Sequence, residues 1–325
     1  VDRVGLQAEL AAVGGERLDL VEQHDDRPRH RGLGDGLGEE IGHSLLEAFA
    51  RMGGRRVIAL DLAPLAPELA SHVDVALQGD VSDPAVIAEI ERHDVAEIYH
   101  LAALLSTSSE KDPVRAHNVN VNGTMGLLMM ARRIGTRTGV AVKFLFPSTI
   151  AVFGMPSLEA KNAAGAVSEF EHLQPSTMYG INKVYCEQLG SYMSDRFGQL
   201  TDEAGAKVLD FRALRFPGLI SATTVPTGGT SDYAPEMIHA AAQGKPYACF
   251  VRPDARIPFM AMPDGVKALL DLAAAPAESL RQRVYNIGAF SPSAEEIAAK
   301  VRTAFPSAEI TYAPHPKRQA IIDSW

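Results

Sequence analysis

The chain carries FPSTIAVFG at residues 146–154 and YGINK at residues 179–183. The first sequence is typical of an apolar strand that runs into a turn, and the second begins a helical pattern. Tyr179 and Lys183 are four residues apart, so they lie one turn apart on the same helix face. An ammonium group beside a phenol favours the phenolate, which lets a tyrosine act as a base nearer neutral pH. Thr149, at the end of the strand, is placed to supply a hydroxyl to the same pocket. Most Tyr-x-x-x-Lys pairs are solvated helix faces, so the meaning of this pair depends on the rest of the chain.

Size and composition fit a soluble globular protein. The chain has 325 residues, enough for one large α/β unit or two lobes, with 46% hydrophobic and 22% charged residues. The net charge of −9 argues against nucleic-acid binding, which needs a basic face. Cys186 and Cys249 are far apart and no His/Cys/Asp cluster has ligand spacing, so we expect neither disulfides nor a metal. No apolar run approaches the roughly 18–20 residues that span a bilayer, and no secretory signal is recognised. We therefore expect no membrane association and a cytoplasmic location.

Apolar strand patterns alternate with helical patterns along most of the chain. The predicted strands are residues 56–61, 73–81, 97–103, 142–146 and 208–215. This alternation predicts an α/β fold: a doubly wound (Rossmann), mostly parallel sheet with helices on both faces and a ligand at the carboxyl ends of the strands. We divide the chain into an atypical N-terminal segment (1–33), a dinucleotide-binding domain (34–220) and a smaller mixed α/β substrate lobe (221–325) that is interleaved with it.

The start of the chain does not fit this pattern. A dinucleotide fold begins with an apolar strand that leads into a glycine turn. The only nearby apolar stretch, residues 18–21, lies too far before the glycines at 34–42, after which we predict a helix at 43–52. Such glycines either bind a phosphate at a helix N-terminus or form a flexible turn. A frameshift or misassigned start before about Glu40 would explain the missing strand and the odd composition; an intact alternative frame in the coding DNA would support that hypothesis.

Asp61 ends the predicted strand at 56–61, about 20 residues after the glycine turn. A carboxylate there accepts hydrogen bonds from the adenosine ribose hydroxyls and repels a 2′-phosphate. The position therefore favours NAD over NADP, the alternative being an exposed aspartate at a strand end.

These stretches together resemble the extended short-chain dehydrogenase/reductase family of NAD-dependent enzymes, which includes the NAD-dependent epimerases and dehydratases. The sequences HLAALLS at 100–106 and FPG at 216–218 are similar to the short-chain L-threonine 3-dehydrogenases in particular. The resemblance covers roughly residues 36–325. The glycines depart from the family spacing Gly-x-x-Gly-x-x-Gly, because the last gap is one residue too long.

The resemblance implies roles for the catalytic and cofactor residues. Tyr179 takes the substrate hydroxyl proton, Lys183 lowers the pKa of Tyr179 and bonds the nicotinamide ribose, and Thr149 orients the hydroxyl. Asp80 contacts the adenine, and Asn122 ties a helix backbone to the active site. The implied cofactor-binding residues are Gly36, Gly38, Ile41, Gly42, Asp61, Asp80, Val81, Leu101, Ala102, Ala103, Asn122, Tyr179, Lys183 and Pro217.

The resemblance also implies a small amino-acid substrate. Hydroxyls and an acid near a helix start are usually caps, but beside the resemblance Thr230 and Ser231 become donors to a carboxylate. Asp232 becomes either a partner for an ammonium or a cap. The implied substrate-binding residues are Ser106, Thr149, Tyr179, Thr230, Ser231 and Asp232.

The implied reaction is the oxidation of L-threonine to 2-amino-3-ketobutyrate, with NAD accepting the hydride. The family pairs the helix beginning at Tyr179 and the helix through Leu127 with their copies, which implies a homodimer. Residues 317–325 resemble a motif that family members follow with a short tail, so we expect a truncated C-terminus.

Two alternatives remain. A nucleotide-sugar epimerase or dehydratase uses the same three catalytic residues, but such enzymes typically carry an asparagine in the turn where this chain has FPG at 216–218. A non-catalytic dinucleotide-binding protein is the other alternative, and the intact Thr149, Tyr179 and Lys183 argue against it.

Overall fold

The computed structural model describes residues 18–22, 37–201, 205–222 and 229–325. The strands are β1 (Leu18–Glu22), β2 (Arg56–Asp61), β3 (Val75–Gln78), β4 (Val95–His100), β5 (Val142–Thr149), β6 (Leu209–Phe216), β7 (Gly218–Ile220), β8 (Tyr247–Cys249), β9 (Phe259–Ala261), β10 (Val284–Asn286) and β11 (Ile310–Tyr312). The α-helices are α1 (Leu37–Met52), α2 (Pro84–Glu91), α3 (Ser106–Lys111), α4 (Pro113–His117), α5 (Thr124–Thr138), α6 (Leu158–Ala164), α7 (Met178–Asp195), α8 (Tyr233–Ala242), α9 (Met262–Ala274), α10 (Ala294–Ala304) and α11 (Pro316–Ser324).

A parallel sheet forms the centre of the molecule. Within the described ranges it has seven strands in the order β10-β6-β5-β4-β1-β2-β3. Buried side chains of α2, α5 and α7 form the core on one face, and those of α1 and α9 form the core on the other. The predicted doubly wound sheet is confirmed. Its strand order reverses between β1 and β4, which is where such sheets bind ligands, at the strands' carboxyl ends.

The first strand is present. β1 pairs with β2 and β4, and Leu20 lies opposite both Ile58 and Ile98. Leu20 and Val21 are fully buried in the cores on opposite faces of the sheet, because successive side chains of a strand alternate. The prediction that residues 18–21 lie too far back to form this strand is therefore wrong. The missing strand no longer supports the frameshift hypothesis.

The helix after the glycines begins earlier than predicted. α1 starts at Leu37 rather than at residue 43, so Gly38 and Gly42 lie inside the helix and not in a turn. Ile41 is 3% exposed, and its side chain packs in the core with Leu45. The remaining glycines of the run, including Gly36, lie outside the described residues.

The C-terminal part builds a smaller lobe on the sheet. The pairs β7-β9 and β8-β11 form two short parallel sheets, and helices α8, α10 and α11 contribute to a third core. Tyr233 anchors this core through edge contacts to the rings of Phe250 and Phe259. The strand β10 then returns to the large sheet beside β6, so the two parts of the chain interleave.

Candidate active site

Three predicted catalytic side chains meet where β5 ends beside α7. Thr149 is the last residue of β5, and its side chain hydrogen-bonds to the Tyr179 hydroxyl. The Lys183 Nζ donates to the Pro147 carbonyl oxygen at 2.7 Å and lies 5.8 Å from the centre of the Tyr179 ring. Tyr179 and Lys183 are 7% and 4% exposed. The alternative that this pair lies on a solvated helix face is therefore wrong.

The surroundings of Tyr179 do not lower its pKa. Burial raises the pKa of the Tyr179 phenol above its ordinary value, and the hydrogen bond with Thr149 partly opposes that rise. The prediction of a lowered pKa is wrong for this structure. Burial thus favours the neutral phenol over the phenolate.

Close backbone contact sets the position of Tyr179. Gly180 faces the short turn after β5, and a Cβ on Gly180 would overlap the Ala151 carbonyl oxygen. The N-terminus of α7 is held from two sides, because Thr177 Oγ1 accepts from Gly180 N at 3.1 Å and Glu110 Oε1 accepts from Met178 N at 2.7 Å. A glycine at 180 thus lets the helix approach β5 closely enough for Tyr179 to reach Thr149.

A buried ion pair follows one turn after Lys183. Glu187 is fully buried, and its carboxylate accepts from Arg215 Nε at 2.8 Å and from Arg215 Nη2 at 2.6 Å. Ser148 Oγ donates to the same carboxylate at 2.5 Å. Sequence reasoning missed this pair. The available signal was the spacing of Glu187, which continues the stripe of Tyr179 and Lys183 at four-residue intervals.

Asn120, rather than Asn122, connects its helix to the site. Asn120 is 3% exposed, accepts from Leu104 N at 2.8 Å and donates to Leu104 O at 3.1 Å and Asn182 Oδ1 at 3.3 Å. Asn122 is exposed, and its side chain donates to Asn118 Oδ1. The prediction for Asn122 is wrong because the backbone between 118 and 123 is a π-helix that buries Asn120.

A family model identifies the chain at this point. The model of the NAD dependent epimerase/dehydratase family matches residues 40–288. The chain belongs to this family. The predicted extended short-chain dehydrogenase/reductase is thus confirmed, as are an NAD-dependent enzyme and NAD itself.

Known proteins similar to this member of the family are L-threonine dehydrogenases. The mitochondrial L-threonine 3-dehydrogenase of Bos taurus is 35% identical over 291 residues, which are 89% of this chain and 72% of that protein. The holo form of the GalE-like L-threonine dehydrogenase from Cupriavidus necator has a TM-score of 0.77 and 33% identity, covering 95% of this chain and 89% of that one. The L-threonine dehydrogenase from Clostridium difficile has a TM-score of 0.78 and 32% identity, covering 95% and 88%.

The residues at the sheet's carboxyl edge fit the NAD that this family uses. Asp61 ends β2, beside the point where the strand order reverses, and Asp61 Oδ1 accepts from Ala63 N at 2.8 Å. The residues that follow β4, 101–103, are buried and mostly small. A ligand can therefore approach the backbone closely at this edge of the sheet. Asp61 at the end of β2 and the Lys183 ammonium beside the end of β5 lie at the same edge of the sheet. A ribose contact by Asp61 stays a prediction.

The predicted adenine residues lie beyond β3. Asp80 Oδ1 accepts from both the backbone and the hydroxyl of Ser82, at 2.7 and 2.6 Å. Val81 is 2% exposed, and it shares with Asn122 the wall of a cavity of about 340 Å³ between α2 and α5. The adenine contact of Asp80 and the cofactor contact of Val81 stay predictions.

The predicted substrate residues occupy two places. Ser106 begins α3, in the segment that follows the end of β4 at His100. Thr230 is buried, while Asp232 stands at the N-cap position of α8 without capping it and instead accepts from Gly229 N at 2.6 Å. The loop at 223–228, including Thr227 and Gly228, lies outside the described residues. Substrate contacts by Ser106, Thr230, Ser231 and Asp232 stay predictions.

The described residues hold neither a metal site nor a membrane-spanning helix. They include no group of three or more His, Cys, Asp or Glu side chains placed to hold a metal ion. None of their helices has both the length and the apolar character to cross a bilayer.

Proposed function

We propose that the protein oxidises L-threonine at its hydroxyl carbon to 2-amino-3-ketobutyrate, with NAD as the hydride acceptor. The observation that carries this proposal is the buried contact of Thr149 with Tyr179, one helical turn from Lys183. A paired hydroxyl and phenol suit removal of a proton from a secondary alcohol, which is the step that a dehydrogenase must catalyse beside its cofactor.

The turn after β6 favours an amino-acid substrate over a nucleotide sugar. Phe216 is buried in the core behind the sheet, and Pro217 is buried as well. A Cβ on Gly218 would lie 2.5 Å from the Phe259 ring. This turn offers no side-chain amide to a nucleotide sugar, and the two threonine dehydrogenase structures similar to the chain support the same substrate.

Each residue of the site has a separate role in this proposal. Thr149 and Tyr179 bind the substrate hydroxyl oxygen. Tyr179, as phenolate, takes the hydroxyl proton while the hydride leaves the same carbon and the carbon–oxygen single bond becomes a carbonyl. Lys183 supplies positive charge near the phenol, and the Pro147 carbonyl holds that ammonium in place. NAD, when bound, accepts the hydride. Because a buried phenol is a base only after losing its proton, we expect kcat/KM to rise with pH above neutrality.

The exposed face of α7 supports the predicted homodimer. Ile181, Tyr185 and Tyr192 are 49%, 50% and 48% exposed, although they are large and apolar. The first two are four residues apart and therefore share one helix face. A second copy packed on α7 would cover them, and sedimentation velocity of the wild type and of Tyr185→Glu tests this. The cytoplasmic location stays a prediction.

NADH formation tests the proposal directly. The protein is mixed with NAD and L-threonine, with D-threonine, L-serine and UDP-glucose as alternative substrates, and absorbance is followed near 340 nm. We expect NADH with L-threonine and not with D-threonine or UDP-glucose. Silence with L-threonine in a preparation that binds NAD would refute the proposal, and conversion of UDP-glucose to UDP-galactose would favour the epimerase alternative.

A further inference from the structure

The charges of Glu187 and Arg215 are buried together between α7 and the sheet. Glu187 is 0% exposed and Arg215 is 1% exposed. Two N–H groups of the guanidinium bind the carboxylate, and Nη1 donates to the Glu169 carbonyl oxygen at 2.9 Å. Removing two charges from water costs so much free energy that an apolar pair of similar size is often at least as stabilising. Stability alone does not account for this pair.

The packing of α7 on the sheet brings the helix close without fixing its register. An added Cβ would lie 2.1 Å from a backbone carbonyl oxygen at Gly180 and 2.2 Å from the Phe211 ring at Gly190. Glycines have no side chain that could interlock with a strand, and apolar contact is non-directional. A hydrogen bond has a preferred distance and direction. The bond from Ser148 Oγ to the carboxylate supplies both, and Arg215 clamps that carboxylate in place.

Ser148 is the middle one of three strand residues that contact α7. The residue before it binds Lys183 through its carbonyl oxygen, and the residue after it bonds to Tyr179 through its side chain. Fixing Ser148 on the helix also fixes these two neighbouring contacts. We propose that Glu187 is a positioning residue for the oxidation: with Arg215 it holds α7 in the register that brings the Tyr179 phenol to the substrate hydroxyl. This role rests on the proposed function.

Glu187→Met/Arg215→Met tests the role, because it removes the carboxylate and leaves neither charge of the pair buried alone. The phenol takes the proton in the transition state, so displacing it lowers kcat more than it raises KM. A misplacement of about 1 Å can cost about 100-fold in rate. We expect kcat per folded molecule with L-threonine to fall by about 10- to 100-fold, with KM changed by less than about threefold. Ser148→Ala keeps the ion pair and loses only the contact with the strand, and it should lower kcat in the same direction.

Arg212→Met is the matched control for a loss of stability. Arg212 is also 1% exposed and also lies on β6, but it donates to the Ala275 carbonyl oxygen at 2.6 Å, beyond the end of α9 on the other face of the sheet. Its partner Asp210 keeps an ion pair with Arg283. This variant should be less stable than the wild type and have the same kcat per folded molecule. An equal fall of kcat in the control and in the double variant would overturn the proposal.

A second measurement does not depend on turnover. Protein labelled with ¹³C at the tyrosine Cζ gives a signal for each of its eight tyrosines, and Tyr179→Phe identifies the signal of Tyr179. Thr149→Val removes the hydrogen bond to the phenol and shows in which direction the signal moves when that contact is lost. The double variant should move the signal in the same direction, and Arg212→Met should not move it.

The two measurements separate the positioning role from the proposed function. If the wild type forms no NADH from L-threonine and the double variant still moves the Tyr179 signal, the proposed function fails and the register role of Glu187 stands. An unmoved Tyr179 signal in the double variant would overturn that role. A kcat of the double variant within about threefold of the wild type would overturn it as well.

Discussion

Replacing Glu187 with glutamine should destabilise the protein strongly. In the wild type both carboxylate oxygens accept from Arg215, and one also accepts from Ser148. Arg215 is 1% exposed, so water cannot replace the lost charge. A glutamine amide offers one acceptor and one donor, and its NH2 group would meet a guanidinium nitrogen that is itself a donor.

The magnitude follows from the burial of both partners. Removing one charge of a buried pair costs about 3–5 kcal/mol, mainly because the other charge stays buried and uncompensated. Total stabilities are about 5–15 kcal/mol, so the loss is a large share of the total. Removing both charges together costs less unfolding free energy than removing one. In Glu187→Met/Arg215→Met the remaining cost comes from the groups that lose a partner, which are the Ser148 hydroxyl, the Glu169 carbonyl and Asn286 Oδ1. We expect this double variant to lose at least about 2 kcal/mol less stability than Glu187→Gln.

Urea unfolding of the three proteins measures these differences, provided the slope m stays constant. Glu89→Gln is the matched control, because Glu89 forms an ion pair with Arg92 in which the side chains are 43% and 71% exposed. Such a surface pair contributes less than about 1 kcal/mol. A cost of Glu187→Gln below about 1 kcal/mol, or a double variant that loses as much stability as Glu187→Gln, would refute the reasoning.

Three further predictions concern Tyr179, Asp61 and Asp19. Tyr179→Phe should lower kcat by about 100- to 10,000-fold with little change in NAD affinity, measured by steady-state kinetics and NADH fluorescence; near-normal turnover would exclude Tyr179 as the base. Asp61→Asn keeps an acceptor for Ala63 N but loses the charge, so kcat/KM with NADP relative to NAD should rise about tenfold; an unchanged ratio would count against the ribose contact. Burial, with the nearby charge of Glu97, raises the pKa of Asp19 from 3.8 to about 6. The stability from Asp19 is therefore complete below pH 4 and is lost as pH rises through 6, by up to about 3 kcal/mol. Urea unfolding of the wild type and of Asp19→Asn at pH 4 to 7 should show that loss only in the wild type.

The sheet and its site edge were predictable because they follow from local patterns. Apolar runs that end in polar residues marked β2, β4 and β5, and the spacing of Tyr179 and Lys183 placed both on one face of a helix. β1 was missed because it has only five residues, including Asp19, whose carboxylate binds Arg55 at 2.5 Å. That pairing joins residues 36 positions apart, so it appears only once the chain is folded.

Other features depend on which side chain the fold turns inward. Asn120 and Asn122 stand in the same short pattern, and the π-helical backbone decides that Asn120 is buried. The pKa of Tyr179 likewise depends on burial, which raises it and which the four-residue spacing to Lys183 does not reveal.

The contacts of α7 with β5 show why a stabilising ion pair and the proposed catalytic residues lie on one stripe of the helix. Three consecutive strand residues each engage one of three helix residues spaced four apart: Thr149 with Tyr179, the Pro147 carbonyl with Lys183, and Ser148 with Glu187. A helix rises 1.5 Å and turns about 100° per residue, so a shift of one residue would break all three contacts. The ion pair therefore fixes the register in which the phenol meets Thr149. A change at Glu187 should disturb the reacting hydroxyl, whereas a change on the exposed face at Tyr185 should not.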